Sequence, residues 1–399
     1  MLRRVPGPVR RVLGSPTIES LSPESVPEFW NRLAAVGSPL VERLPGQSDE
    51  AVTATFCWRD PDGDESTSPT TRVYLDANGI TDRAQLDRAL LTRLPGTDLW
   101  HLSLEVPSRW RGGYRFLPRR EELREPESGS AGWQWWRSVV EGARLDEFNA
   151  LPPFAATPAP CSVAVMPDAP EHQWWVESPG RGSWSESVRS LAGRERTIAI
   201  YEPPGPAARD RPLAVLLDGR NWTEQAPLAG ALDRLDPTPL VVTVDGLDPQ
   251  TRTTELGCSP DFLAALTEEL VPWLRREHAV TADPRRTAIG GCSLGGLTAT
   301  YAALEAPETF GCAVSLSGSF WWPGDGEGVP LQKRVNPGTS RMWLEVGELE
   351  WMLVERNREM ASLLREAGHT VAYGEYCGSH ELLHWRDRMV AGLDWAFRS

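Results

Sequence analysis

Lysine is almost absent from the chain: Lys333 is the only one, so nearly every cation is an arginine, a bias that genomic base composition accounts for and that carries no function. A basic excess is also lacking, because 41 Lys and Arg against 55 Asp and Glu leave a formal net charge of −14. That balance argues against a nucleic-acid partner, which ordinarily demands a basic footprint. No apolar run approaches the roughly 18 residues of a membrane-spanning helix, so no membrane partner is expected. The six cysteines (57, 161, 258, 292, 312 and 377) show no CxxC spacing, which speaks against a zinc site and against a dense disulfide framework. The start, MLRRVPGPVRRVLGSP, is basic, but Pro and Gly interrupt it before any apolar core forms, so it does not read as a signal peptide. These absences leave an acidic, cytoplasmic protein as the expectation.

What is present is ample for a folded chain. Hydrophobic residues make up 40% and charged residues 24% of 399 residues. At about 150 residues per domain, two or three domains are expected. There are 18 tryptophans, several in pairs such as Trp135–Trp136, Trp174–Trp175 and Trp321–Trp322. Most are expected to fill cores or anchor loops, although indole also suits stacking on an aromatic ligand.

The two halves differ in period. AVTATFCWRD (51–60), TRVYLDANG (71–79), DLWHLSLEV (98–106) and RWRGGYRFLP (109–118) read as extended segments separated by Gly, Pro and Asp clusters, with Gly112–Gly113 taken as a turn. That pattern predicts an antiparallel β-sandwich. A charged and Pro/Ala-rich connection follows over 119–160. Beyond it, RTIAIYEP (196–203), PLAVLLDG (212–219), PLVVTVDG (239–246), RRTAIGGC (285–292), CAVSLSG (312–318) and RMWLEVGE (341–348) are short β-branched runs of buried-strand type. Helical periodicity over 225–235, 261–278, 351–367 and 382–397 alternates with them, which predicts a doubly wound α/β domain. The expected division is a flexible extension over 1–30 carrying Arg3, Arg4, Arg10 and Arg11, a β-sandwich over 31–165, and an α/β-hydrolase domain over 166–399.

The chemistry centres on Gly291-Cys292-Ser293-Leu294-Gly295, a G-x-S-x-G pentapeptide with a strand before it and a small-residue helix after it. Its glycines permit the strained turn that lifts a serine Oγ above a sheet edge. Ser293 is therefore the candidate nucleophile, and it needs a base within hydrogen-bond reach. Three histidines follow it: His369 in a helix-to-strand turn, His380 between the last strand and last helix, and His384 one helical turn on. The position of His380 is where this fold places its base. For the acid, Glu348 and Glu350 stand nearly equal after a strand, with Glu345 inside that strand and Asp325 in WWPGDGEG as further candidates. Leu294 N–H is one expected oxyanion donor, and the loop of VLLDGRNW (215–222) is placed to supply the other. Cys292, beside the nucleophile, is expected to be a buried small residue.

Several segments together resemble the enterochelin (enterobactin) esterase family of ferric-siderophore hydrolases. They are VLLDGRNW, RTTELGCSPDF (252–262), GGCSLGGL, SLSGSFWW (315–322), LEVGELEWMLVERN (344–357) and CGSHELLHWR (377–386). TFCWRD (55–60), GTDLWHLSLEVPSRWRGGYRFLP (96–118) and VAVMPDAPEHQWW (163–175) are similar to that family's amino-terminal domain. The resemblance implies Ser293 as nucleophile, His380 as base, Glu350 as acid, and the Leu294 and Arg220 amides as the oxyanion hole. It implies a catecholate trilactone as substrate, Fe(III)-bound or free, with iron present only as part of that substrate and no cofactor or protein metal site.

A ferric tris-catecholate is a trianion, so the bulk charge of −14 cannot attract it and local fields must. Arg220 and Arg252 are candidate anion contacts, with pairing to Glu255 or other carboxylates as the plain alternative. Trp222, Trp321 and Trp322 are candidate stacking surfaces for catechol rings. A general carboxylesterase or acyltransferase on the same fold, or an inactive siderophore-binding protein, would carry much of the same sequence. Oligomeric state is not legible.

Overall fold

The computed structural model describes residues 10–124, 129–205, 209–323 and 328–398. Arg3, Arg4 and Asp325 lie outside them. Among the described residues, 10–171 together with 377–381 form one unit, and 172–376 with 382–398 form the other.

In the N-terminal unit the extended segments become seven strands: β1 (Leu40–Glu42), β2 (Ala51–Arg59), β3 (Arg72–Ala77), β4 (Thr92–Arg93), β5 (Leu99–Pro107), β6 (Arg111–Arg119) and β7 (Ser162–Val165). They form two antiparallel sheets, in the orders β1-β2-β5-β4 and β3-β6-β7. The sheets face each other through aromatics: the Phe56 ring lies 5.0 Å from Tyr114 and 6.4 Å from Trp110. This is the expected sandwich.

Three expectations change here. Of the stretch assigned to a flexible extension, residues 10–30 are built into the unit. Leu13 N–H donates to Ser103 O and Arg11 O accepts from Glu105 N–H, so residues 11–13 add to β5. Helices α1 (Pro16–Glu19) and α2 (Val26–Val36) follow, and Ile18, Val26, Phe29, Trp30 and Leu33 close the outer face of β2 and β5 at Cys57 and Leu99. That cover explains why β2 is buried on both faces from Val52 to Trp58. Second, Gly112 and Gly113 lie inside β6 and form no turn. They are needed there for close approach, since a Cβ at Gly112 would meet the Trp110 ring at 2.6 Å. Third, the connection over 119–160 contains a helix, α3 (Gly129–Glu141).

The second unit is an eight-stranded sheet in the order β15-β14-β13-β12-β10-β11-β9-β8. Its strands are β8 (Ser183–Leu191), β9 (Arg194–Glu202), β10 (Leu213–Leu217), β11 (Leu240–Val244), β12 (Thr287–Cys292), β13 (Cys312–Leu316), β14 (Arg341–Gly347) and β15 (Thr370–Tyr376). All neighbours from β11 to β15 run parallel, whereas β8 and β9 are antiparallel additions. The central strands β10 to β13 are buried along their whole length, as continuous apolar runs require. Edge strand β8 is mostly exposed and carries Glu186 and Arg189, which blunt the edge.

Helices α4 (Ala229–Leu232), α5 (Pro249–Leu256), α6 (Pro260–Ala264), α7 (Val271–Glu277), α8 (Leu294–Glu305), α9 (Val354–Glu366) and α10 (Leu382–Arg398) cover this sheet. The predicted helix over 261–278 is realised as α6 and α7 joined by a π-type segment, Ala265–Leu270. Pro272 sits in the first turn of α7, and its missing N–H and its ring are accommodated by the wider preceding turn. Among the described residues, no helix is long and apolar enough to cross a membrane.

Candidate active site

The site is built where β12 ends and α8 begins. Ser293 stands between them with φ 58 and ψ −121, a backbone region that L-residues enter only under strain. Neighbouring contacts hold it there. Ser293 N–H donates to Leu316 O at 2.9 Å, and Ser293 O accepts from Leu297 N–H and Ser319 N–H, both at 3.1 Å. The turn depends on Gly291, where a Cβ would fall 2.6 Å from the Gly295 carbonyl carbon. Gly295 is less constrained, because its Cβ would find Asp218 at 3.4 Å and Leu217 at 3.5 Å, ordinary contact distances.

Ser293 is half-buried and its Oγ lies 3.3 Å from Ser319 Oγ. Strand pairing brings the Arg220 loop to the same edge: β10 lies beside β12 in parallel, with Leu216 opposite Gly290. Asn221 Nδ2 reaches Cys292 Sγ at 3.7 Å, tying that loop to the residue before Ser293. Leu294 and Arg220 stand at the starts of helical segments, where the first backbone N–H groups have no partner within the segment itself. Leu294 N–H also begins α8, so the helix N-terminus adds its partial positive charge. Cys292 is buried, and desolvation pushes its thiol up, so it is not a thiolate.

The acid candidates separate clearly by environment. Glu350 is 6% exposed, and its Oε1 accepts from Ser317 Oγ at 2.6 Å and from Gly347 N–H at 2.8 Å. Ser317 also accepts from Trp385 Nε1 at 3.0 Å. Glu348 is exposed on the same turn. Glu345 is buried within β14 with Arg388 at 3.6 Å, and burial raises its carboxyl to about 7 despite that cation. The loop after β13 therefore touches both chemical groups, Ser293 through Ser319 and Glu350 through Ser317. Sequence reading assigned neither serine a role, and two small polar residues in SLSGSFWW give no distinctive signal.

His380 is exposed in the segment between β15 and α10, and that segment belongs to the N-terminal unit. His384 is buried on α10, with its ring 5.0 Å from Tyr376 and 6.0 Å from His172. His369 is also buried, with Nε2 at 3.0 Å from Asn336 O.

The candidate binding residues divide. Arg252 clamps Asp218 with two bonds, Nε to Oδ1 at 2.6 Å and Nη2 to Oδ2 at 2.7 Å. Arg220 is 65% exposed and pairs with Glu224 at 3.1 Å. Glu255 serves neither of them: it takes both arms of fully buried Arg196, at 2.7 and 2.9 Å. Trp222 has to be corrected from stacking surface to core residue, because it is fully buried with Nε1 donating to Leu217 O at 2.8 Å. Trp321 and Trp322 remain partly exposed, edge to face at 5.8 Å, with Trp322 Nε1 donating to Gly257 O at 3.2 Å.

Residues 53–175 match the family described as enterochelin esterase, N-terminal, and residues 189–396 match the Esterase family. The chain is 34% identical to the iron(III) enterobactin esterase of Dickeya dadantii over 413 aligned positions, covering 94% of each protein. It is 32% identical to the iron(III) enterobactin esterase of Escherichia coli strain K12, covering 87% of this chain and 91% of the relative. The crystal structure of ferric enterobactin esterase from Salmonella typhimurium superposes with a TM-score of 0.81 at 30% identity, covering 93% of this chain and 98% of that one. The enterobactin esterase of Shigella flexneri, crystallised in the presence of enterobactin, gives a TM-score of 0.78 at 30% identity, covering 91% and 96%.

Proposed function

Because the chain belongs to the enterochelin esterase family of carboxylic ester hydrolases, we propose that it opens the ester bonds of an enterobactin-like catecholate trilactone, Fe(III)-bound or free. The observation that carries the chemical half of this reading is the strained Ser293 turn between β12 and α8.

In this mechanism Ser293 Oγ attacks a lactone carbonyl carbon while His380 takes the hydroxyl proton. The new oxyanion is received by the Leu294 and Arg220 N–H groups. The intermediate collapses with cleavage of the carbon–oxygen bond, and the His380 proton passes to the departing alkoxide. A water then attacks the acyl-Ser293 ester, His380 accepts its proton, and Ser293 leaves with that proton restored. Glu350 orients His380 and stabilises its cationic form. Acyl transfer of this type needs no cofactor, and the iron enters only as part of the substrate. Arg220 is the binding cation this reading favours, since an exposed pair such as Arg220–Glu224 is worth at most about 1 kcal/mol and exchanges readily for an anionic ligand. Trp321 and Trp322 supply ring faces for the catechols.

Ester opening loosens the chelate and frees the metal, and the reading places the reaction in the cytoplasm; recovery of the protein in a membrane or extracellular fraction would refute that location. The substrate is tested by incubating the protein with ferric and iron-free enterobactin and resolving products by mass spectrometry, beside Ser293→Ala. Dihydroxybenzoylserine monomer, dimer or linear trimer formed only by the unaltered protein is expected. Intact trilactone, under conditions where a simple aryl ester is cleaved, would overturn the substrate and leave the esterase.

A further inference from the structure

We propose that Glu381, together with Asn78, is a positioning residue that fixes the backbone of His380 on the end of the N-terminal sheet. The inference rests on the reading of His380 as base and adds the device that holds it. His380 and Glu381 are consecutive residues in opposite environments, the imidazole exposed and the carboxyl buried within the N-terminal unit. Glu381 Oε2 accepts from Gly113 N–H, near the start of β6, at 3.1 Å. Asn78, just past β3, donates from Nδ2 to His380 O at 3.4 Å, and its amide favours the ionised form of the nearby Glu381 carboxyl. Asn78 N–H in turn donates to Gly113 O at 2.9 Å, so both anchors belong to one strand pair. The turn is closed by Glu381 N–H on Ser379 O at 2.9 Å.

The site is shaped for this carboxylate. A Cβ at Gly113 would stand 3.1 Å from Glu381 Oε2 and 2.6 Å from Cys161 Sγ, so only glycine leaves room. Arg115 is the cation in electrostatic reach, shared with Asp76 at 3.4 Å. Burial raises the Glu381 carboxyl to about 7 although Gly113, Asn78 and Arg115 all oppose that shift. A carboxyl so placed costs folding energy, and an apolar side chain could fill the same space. What the carboxyl adds is direction: it pins the Cα next to the base.

The test measures kcat and KM on p-nitrophenyl acetate and on ferric enterobactin for Glu381→Ala, Glu381→Gln, Asn78→Ala and His380→Ala, with melting temperatures. Glu381→Ala is expected to lower kcat by about tenfold to a hundredfold on both substrates, the scale of a misplaced catalytic group. KM should stay within about twofold, because the loss falls on the chemical step. Glu381→Gln keeps an oxygen for Gly113 N–H and should retain most of the activity, with Asn78→Ala in between. Glu381→Ala and Asn78→Ala at full kcat beside an inactive His380→Ala would overturn the positioning role and leave the base in place. An active His380→Ala would overturn the base itself. Should Glu381→Ala not fold, Asn78→Ala decides, and full kcat in that variant overturns the proposal.

Discussion

Ser317 Oγ donates to Glu350 Oε1 at 2.6 Å while accepting from Trp385 Nε1 at 3.0 Å, so a buried indole, a hydroxyl and a carboxylate form one directed chain. Ser317 itself is fully buried at φ 50, a conformation held by its N–H on Glu345 O at 2.7 Å. The hydroxyl is thereby committed to Glu350 as donor. Ser317→Ala should lower kcat by about tenfold, the weight of one hydrogen bond to a charged group. Trp385→Phe, which keeps the ring and loses the donor, should cost less. Steady-state kinetics check both, and unaltered kcat in Ser317→Ala would remove Ser317 from the mechanism.

The two glycines flanking Ser293 in the pentapeptide should behave differently. At Gly291 a methyl would collide with backbone at 2.6 Å, whereas at Gly295 it would meet side-chain atoms at 3.4 Å or beyond. Gly291→Ala should abolish labelling of Ser293 by a fluorophosphonate. Gly295→Ala should retain it. Equal labelling of the two variants would refute the assignment of the turn's strain to Gly291.

Two tryptophans offer a contrast between core and binding surface. Trp222→Ala empties a fully buried site and should destabilise the fold by about 3–5 kcal/mol, read as a lowered melting temperature. Trp321→Ala removes a partly exposed ring and should leave melting nearly unchanged. It should raise KM for ferric enterobactin and not for a simple aryl ester. A parallel rise for both substrates would take the stacking role away from Trp321.

Glu345 makes stability depend on pH. Its carboxyl holds its proton to about 7 in the folded protein against an ordinary value of 4.5. Between those values the unfolded chain has released a proton that the folded chain retains, so stability is full below the lower value and falls as pH rises toward the upper. The loss is on the order of 3 kcal/mol at most. Glu345→Gln does not titrate, so its melting temperature should gain on that of the unaltered protein between about pH 5 and about pH 8. A constant difference across that range would mean Glu345 is ionised throughout.

The parts of the site that were legible in the sequence are those with a rigid local grammar. The G-x-S-x-G run from Gly291 to Gly295 announces a tight turn because a side chain at Gly291 has no room, and β10 to β13 announce themselves as apolar runs buried on both faces. Trp222 misled because GRNW is polar in sequence, yet its indole turns inward and satisfies its N–H on Leu217 O. Ser317 and Ser319 are informative only in three dimensions, since a serine's role depends on what its hydroxyl faces. Residues 1–30 read as an extension because Pro and Gly interrupt them, yet Phe29 and Trp30, with Leu33 beyond, cover the second face of β2. β8 has no apolar alternation to show, being an exposed edge defined by its pairing with β9.

The return of residues 377–381 to the N-terminal unit has a consequence for how the protein can be made. The sandwich leaves the ribosome first, but its last five residues emerge only after the chain has passed from residue 171 to residue 377. Until then the ends of β3 and β6 lack the groups that Asn78 and Gly113 bind. A gene cut after residue 171 would separate that wall from the segment it holds, so the two halves are not interchangeable cassettes. The sandwich reaches its finished form only when nearly the whole polypeptide has been synthesised.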